Sequence, residues 1–117
     1  MTTTDNLKVN IVDLKLKYPN RCPILIYPED DSKPLISKNK YLVPYDITLA
    51  DLILIIRKKI TIKDYQSLIF FVKPKNRMTL LSSNLLIDLI YNYYKDDDGF
   101  LRIYYTTENT FGCQDYL

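Results

Sequence analysis

Histidine and tryptophan are absent from the 117-residue sequence, and glycine and cysteine occur twice each. Without histidine there is no Ser-His-Asp or Cys-His nucleophile pair and no histidine-containing zinc site. Two glycines, against an average usage of roughly 7%, cannot build the loops that cradle phosphates in Walker-type or dinucleotide-binding folds. Cys22 and Cys113 are too few for a disulfide scaffold. Asp5, Lys8 and Asp13 interrupt the amino terminus where a signal peptide needs an unbroken apolar region, so a cytoplasmic location is expected. The longest apolar runs, such as Leu52–Ile56 and Leu68–Val72, fall far short of the roughly 18 residues of a spanning helix. Any membrane attachment must then be covalent or through a partner. Most familiar catalytic chemistry is excluded, and the chain is expected not to be an enzyme and to hold no metal.

What is present suffices for a core. Hydrophobic residues make up 47% and aromatics 13%, with a net charge of only +2, far from the signature of disorder. The length fits a single domain of about 100 to 200 residues. Charge is uneven: Arg57, Lys58, Lys59, Lys63, Lys73, Lys75 and Arg77 face Asp64 alone in residues 57–77, while the rest is net acidic. Such a stretch can meet nucleic acid, anionic lipid or an acidic peptide. It also serves simply to solvate a face and complement a helix dipole.

Residues 5–17 fit two patterns, since Leu7, Ile11 and Leu14 form a helical stripe while Val12, Leu14, Leu16 and Tyr18 alternate like a strand; the reading leans to a short helix. Strands are expected over Cys22–Tyr27, ended by Pro28 and the acidic residues after it, and over Lys40–Pro44, which Pro44 places near an edge. Leu49, Leu52, Ile53, Ile56 and Ile60 recur at helical spacing behind Thr48 as N-cap and Asp51, predicting a helix over Leu49–Lys59. Leu68–Val72 reads as a core strand, Ser83–Lys95 as a second helix, and Asp98-Gly99 as a turn into a last strand, Phe100–Tyr105. Thr106–Leu117 loses periodicity and reads as a tail. The sum is an α+β domain with one four-stranded sheet.

Five segments say more. Lys17-Tyr18-Pro19-Asn20-Arg21-Cys22-Pro23, Lys40-Tyr41-Leu42-Val43-Pro44, Ile56-Arg57-Lys58-Lys59-Ile60, Lys95-Asp96-Asp97-Asp98-Gly99-Phe100-Leu101 and Glu108-Asn109-Thr110-Phe111-Gly112 occur in the order in which they stand in the ubiquitin-like autophagy modifiers conjugated to phosphatidylethanolamine, the GABARAP proteins among them. Over about Leu7–Gly112 the chain closely resembles that family. The resemblance implies a ubiquitin-like β-grasp with a four-stranded mixed sheet, preceded by an amino-terminal helical extension (residues 1–18). It also implies a flexible conjugation tail (residues 106–117), all within a single domain. The chain would then itself be the substrate. A cysteine protease removes residues 113–117, activating and conjugating enzymes carry the new carboxylate, and Gly112 ends on phosphatidylethanolamine at autophagosomal membranes. That lipid is the only attached group expected. A glycine terminus permits close backbone approach. Phe111, with Thr110 before it, supplies an anchor for the protease and activating enzyme. If extended, Thr106–Gly112 reaches about 23 Å.

The resemblance further implies a groove for cargo receptors carrying an extended aromatic-x-x-aliphatic peptide, which adds a strand beside the second strand of the sheet. One pocket would be lined by Leu14, Pro23, Leu25, Leu42 and Phe100 with Lys40 at its mouth, the other by Tyr41, Val43, Pro44, Ile47, Leu52 and Ile55. Lys38, Lys40, Arg57 and Lys59 would meet acidic residues flanking the peptide. Ordinary core packing competes with this reading at every apolar position, most of all at Leu14, Ile47 and Ile55. The chain departs from the family at Lys63-Asp64, where a diproline is usual, and at Lys59, where arginine is common and where lysine cannot bind a carboxylate bidentately. Two other classes compete: an unconjugated peptide-binding module, and a binder of nucleic acid or anionic lipid through residues 57–77. No nucleic-acid partner is expected.

Overall fold

The computed structural model describes residues 11–30, 36, 38–63 and 66–109. Residues 11–17 are helical (α1), in favour of the helix over that part of the ambiguous segment, and the rest of the expected amino-terminal extension, residues 1–10, lies outside the described residues. The strands are β1 (Arg21–Pro28), β2 (Lys40–Pro44), β3 (Gln66–Val72), β4 (Thr79–Leu80) and β5 (Leu101–Asn109), and the further helices α2 (Leu49–Arg57) and α3 (Ile87–Tyr94). The sheet order is β2-β1-β5-β3-β4, with β1 and β5 parallel and the other neighbours antiparallel.

Strand alternation divides the sheet into two faces. Cys22, Ile24 and Ile26 of β1, Leu68, Phe70 and Val72 of β3, and Leu101, Ile103 and Tyr105 of β5 join Leu49, Leu52 and Ile56 of α2 and Ile87, Ile90 and Tyr91 of α3 in the main core. On the opposite face, Leu25 and Phe100 meet Ile11 of α1 in a smaller cluster flanked by Leu14 and Tyr27. That second cluster holds α1 on the domain.

Three expectations are corrected. The sheet has five strands, because β4 adds Thr79 and Leu80 beside Val72 and Phe71; two residues are too short to leave a hydrophobic period. The second helix starts at Ile87 rather than Ser83. Before it, Leu49 and Ala50 donate to Leu85 and Ser83 carbonyls while Ile87 and Asp88 donate to Ile47 and Tyr45 carbonyls, so this stretch is zipped to the entry of α2. Thr106–Asn109 is strand and not tail: Thr106, Thr107, Glu108 and Asn109 pair with Ile69, Leu68, Ser67 and Gln66. Their polar side chains hide the extended backbone from a hydrophobicity reading.

The expected N-cap of α2 is a full capping box. Asp51 N–H donates to Thr48 Oγ1 at 3.3 Å, and Thr48 N–H donates to Asp51 Oδ2 at 3.1 Å. Thr48→Ala is expected to lower stability by about 1 kcal/mol, read as a lower urea midpoint with an unchanged slope.

Gly99 makes the expected turn with φ +87°, donating to Asp96 O at 2.9 Å. Asp98 Oδ1 accepts from Phe100 N–H, and Arg102 grips Asp98 through both guanidinium nitrogens at 3.1 and 2.7 Å. The Arg102 hydrogen bonds hold the Asp98 carboxyl below the usual carboxylate range against the opposing effect of burial. A depressed folded pKa contributes stability above the unfolded value, which is lost as pH falls through the folded one. The deficit of Asp98→Asn, measured by urea unfolding against pH, is therefore expected in full at neutral pH, to shrink as pH falls below the ordinary aspartate value of about 3.9, and to vanish only below the depressed folded value.

Candidate functional site

β2 lies at one edge of the sheet, and the ladder shows what that edge offers. Ile26 N–H donates to Asn39 O and Tyr45 N–H to Asn20 O, in the register that pairs Cys22 with Val43 and Ile24 with Tyr41. In an antiparallel ladder such pairs alternate. Tyr41 and Val43 therefore spend their backbone groups on β1, while Lys40 and Leu42 turn theirs to the open edge. Pro44 falls in the outward set as well, so its missing N–H costs no bond to β1. Arg21 Nη1 reaches round to donate to Leu42 O at 3.2 Å. The opposite edge, β4, has only two residues.

Beside the β2 edge lies a groove of about 340 Å³ lined by Leu14, Lys38, Lys40, Tyr41 and Leu42. Leu14, Lys40 and Leu42 come from the set assigned to the first pocket. The others of that set form the ground beneath it: Pro23 is buried opposite Leu42, and Leu25 and Phe100 are buried under Leu14 and Ile11. Phe100 is wholly inaccessible, so the aromatic floor is covered. Pro23 interrupts nothing, since pairing with β5 starts one residue later at Ile24.

The set assigned to the second pocket is less gathered. Val43 and Leu52 belong to the main core, and Tyr41 and Ile47 pack against it. Pro44 is half-buried, and Ile55 stands 42% exposed on α2. Tyr41 also lines the first groove, with its hydroxyl donating to Lys38 O and Lys38 Nζ 5.8 Å from its ring centre. Burial raises the pKa of that phenol.

Of the four cations, Lys38 and Lys40 stand at the groove. Arg57 is engaged elsewhere: Nη1 donates to Gln66 O at 2.9 Å and Nη2 to Lys63 O at 3.5 Å, fastening the end of α2 to the start of β3. Lys59 is exposed just beyond α2. The basic stretch is thereby divided. Arg57, Lys58, Lys59 and Lys63 lie near the start of β3 and Lys73, Lys75 and Arg77 beyond its end; seven residues of strand separate these ends by about 20 Å. Lys73 lies over the Tyr104 ring at 4.4 Å.

Thr110, Phe111 and Gly112 lie outside the described residues, as does Cys113. Asn109, the last residue of β5, precedes Gly112 by three positions, a span of at most about 10 Å. The reach counted from Thr106 shortens accordingly. Cys22 is a core residue whose thiol burial pushes up to about 11, leaving it protonated and unreactive at neutral pH. Among the described residues no three His, Cys, Asp or Glu side chains are grouped to hold a metal, and no helix is long and apolar enough to cross a membrane. Sequence reasoning names Ile11 only in a helical stripe and Arg21 only within a family-like segment, neither as a site residue: Arg21 acts by reaching round an edge, Ile11 by packing on a turn distant in sequence.

Comparisons with known proteins show the family and the fold. Residues 7–112 match the family described as autophagy protein Atg8, ubiquitin-like. The chain is 38% identical over 104 residues to autophagy-related protein 8b of Arabidopsis thaliana, covering 88% of this chain and 82% of that one. The crystal structure of Trypanosoma brucei ATG8 superposes with a TM-score of 0.81 at 28% identity, over 95% of this chain and 93% of the other. Plasmodium falciparum Atg8, in complex with a Plasmodium falciparum Atg3 peptide, has the same fold, with a TM-score of 0.76 at 24% identity over 92% and 93% of the two chains.

Proposed function

We propose that this chain, which belongs to the Atg8 family of ubiquitin-like autophagy proteins, is a modifier that displays its β2 edge to short peptides. A protease trims it after Gly112, and it is then conjugated to phosphatidylethanolamine. The observation that carries the peptide-binding half is the open β2 edge beside the groove of Leu14, Lys38, Lys40, Tyr41 and Leu42. An extended peptide would exchange main-chain hydrogen bonds with Lys40 and Leu42, giving affinity in any sequence, and set its aromatic side chain in the groove for specificity. The two lysines favour acidic residues beside that aromatic. Val43 and Leu52 already sit in the core, so an aliphatic side chain would meet chiefly Tyr41, Ile47 and Ile55 at the surface.

Conjugation rests on the family and on Thr110-Phe111-Gly112 standing directly after β5. Membrane residence follows from the lipid: a single attachment at Gly112 would move the chain from cytoplasm to autophagosomal membrane. Processing, activating and conjugating enzymes are the partners of the tail, and cargo receptors those of the β2 edge. A basic-face binder of nucleic acid is disfavoured, since the cations of residues 57–77 lie at opposite ends of β3.

The binding half is tested by NMR titration of the full chain with an acidic aromatic-x-x-aliphatic peptide and a scrambled control. Shifts centred on Lys40–Pro44 and Leu14 with the ordered peptide alone are expected. Equal response to both peptides, or shifts centred on β4, contradicts the reading.

A further inference from the structure

Gly99 does more than turn the chain. A Cβ built on it would lie 2.8 Å from Cγ1 of Ile11, the first described residue of α1, which is closer than real Cβ contacts come. Ile11 is therefore seated directly on the bare backbone of Gly99. The same turn holds α1 by a second route. Tyr91 donates its hydroxyl to Gly99 O at 2.6 Å, and Lys15, one turn along α1, places Nζ 5.1 Å from the Tyr91 ring centre. Both anchors of α1 thus end on one peptide unit. Seated there, Ile11 closes over Phe100 and Leu25, and Phe100 has no exposed surface. The groove lies outside this cluster, and Leu14 belongs to both: it lines the groove with Leu42 and packs against Ile11, Leu25 and Phe100.

We infer that Ile11 and Gly99 are positioning residues that set how deep an aromatic side chain can enter the β2 groove. Gly99 fixes the height of α1, and Ile11 is the stop. This rests on the peptide-binding reading above. Its distinctive consequence is size selection. With Ile11 in place the larger indole finds no more depth than a phenyl ring does; with Ile11 shortened it does.

The test uses the full chain and two synthetic acidic peptides differing only in Trp-x-x-Leu against Phe-x-x-Leu, with amide exchange as an independent arm. Ile11→Ala is expected to raise the ratio of Trp-peptide to Phe-peptide affinity about fourfold, the effect of burying one further methylene. Ile11→Val should leave the ratio near its original value. Gly99→Ala is expected to lift α1, speeding exchange of the Tyr18 amide, which donates to Leu14 O at 2.8 Å, at least about tenfold, with Ile11→Ala in that background slowing it again as the clash is removed. If Gly99→Ala does not fold, the Ile11 variants decide. An unchanged ratio in Ile11→Ala, while both peptides bind, overturns the inference and leaves the function standing. Unchanged Tyr18 exchange in a folded Gly99→Ala overturns the seat. Failure of both peptides to bind the unmodified chain overturns both readings.

Discussion

Gly112→Ala is expected to abolish removal of residues 113–117 and, with it, conjugation. Gly112 stands three residues beyond the last residue of β5, so a processing or activating site must approach within about 10 Å of the folded sheet. A site narrow enough to admit the chain there closes on backbone, and a Cβ is the smallest group that obstructs it. Because displacement of the reacting carbonyl by about 1 Å costs on the order of 100-fold in rate, loss of cleavage should be near complete although only one methyl group is added. Mass spectrometry of the full chain incubated in its own cell extract reads the outcome. Persistence of the full-length mass, with an unchanged thermal midpoint, separates a lost recognition from a lost fold.

The second large effect belongs to the β2 edge, where two neighbouring substitutions should fail for different reasons. Leu42 is half-buried on the groove wall. Leu42→Ala removes apolar contact worth about 1 to 3 kcal/mol, or roughly five- to 150-fold in affinity, and salt should hardly alter the loss. Lys40→Glu leaves Leu14, Tyr41 and Leu42 of the groove in place and reverses the charge facing acidic flanks. Its cost should appear mainly as a slower association rate, largest at low ionic strength where the Debye length is long. Calorimetry and stopped-flow mixing at two salt concentrations distinguish these patterns. If neither substitution weakens binding while the fold is intact, the peptide does not dock at β2.

Much of this was legible before any coordinates. The helix over Leu49–Arg57 announced itself because its stripe, its Thr48 cap and its Asp51 partner all agreed, and the structure closes the capping box between them. Lys40–Pro44 was recognisable as an edge strand from a proline that could not serve a central ladder. The misses share a physical cause: they were decided by partners distant in sequence. Thr106–Asn109 is extended because β3 offers it a ladder, whatever its polarity. Ser83–Leu86 looked like helix until residues 45–50 claimed its backbone. At the site, Leu14 and Leu42, assigned to one pocket by family resemblance, line the same groove. Nothing in residue type distinguished the buried Phe100 and Leu52 from lining residues, nor revealed that Arg57 would be held by the Lys63 and Gln66 carbonyls. Burial depends on what lies above a side chain, and Ile11 could be identified as that cover only once Gly99 was in place.

The intact mass of the protein recovered from its own cells, with membrane and soluble fractions kept apart, tests the central claim most directly. The account predicts a soluble form lacking Cys113-Gln114-Asp115-Tyr116-Leu117 and a membrane form heavier than it by one phosphatidylethanolamine less a water, with the added mass on Gly112. A chain that retains all five residues in both fractions, or a membrane-bound form carrying no lipid, would contradict it.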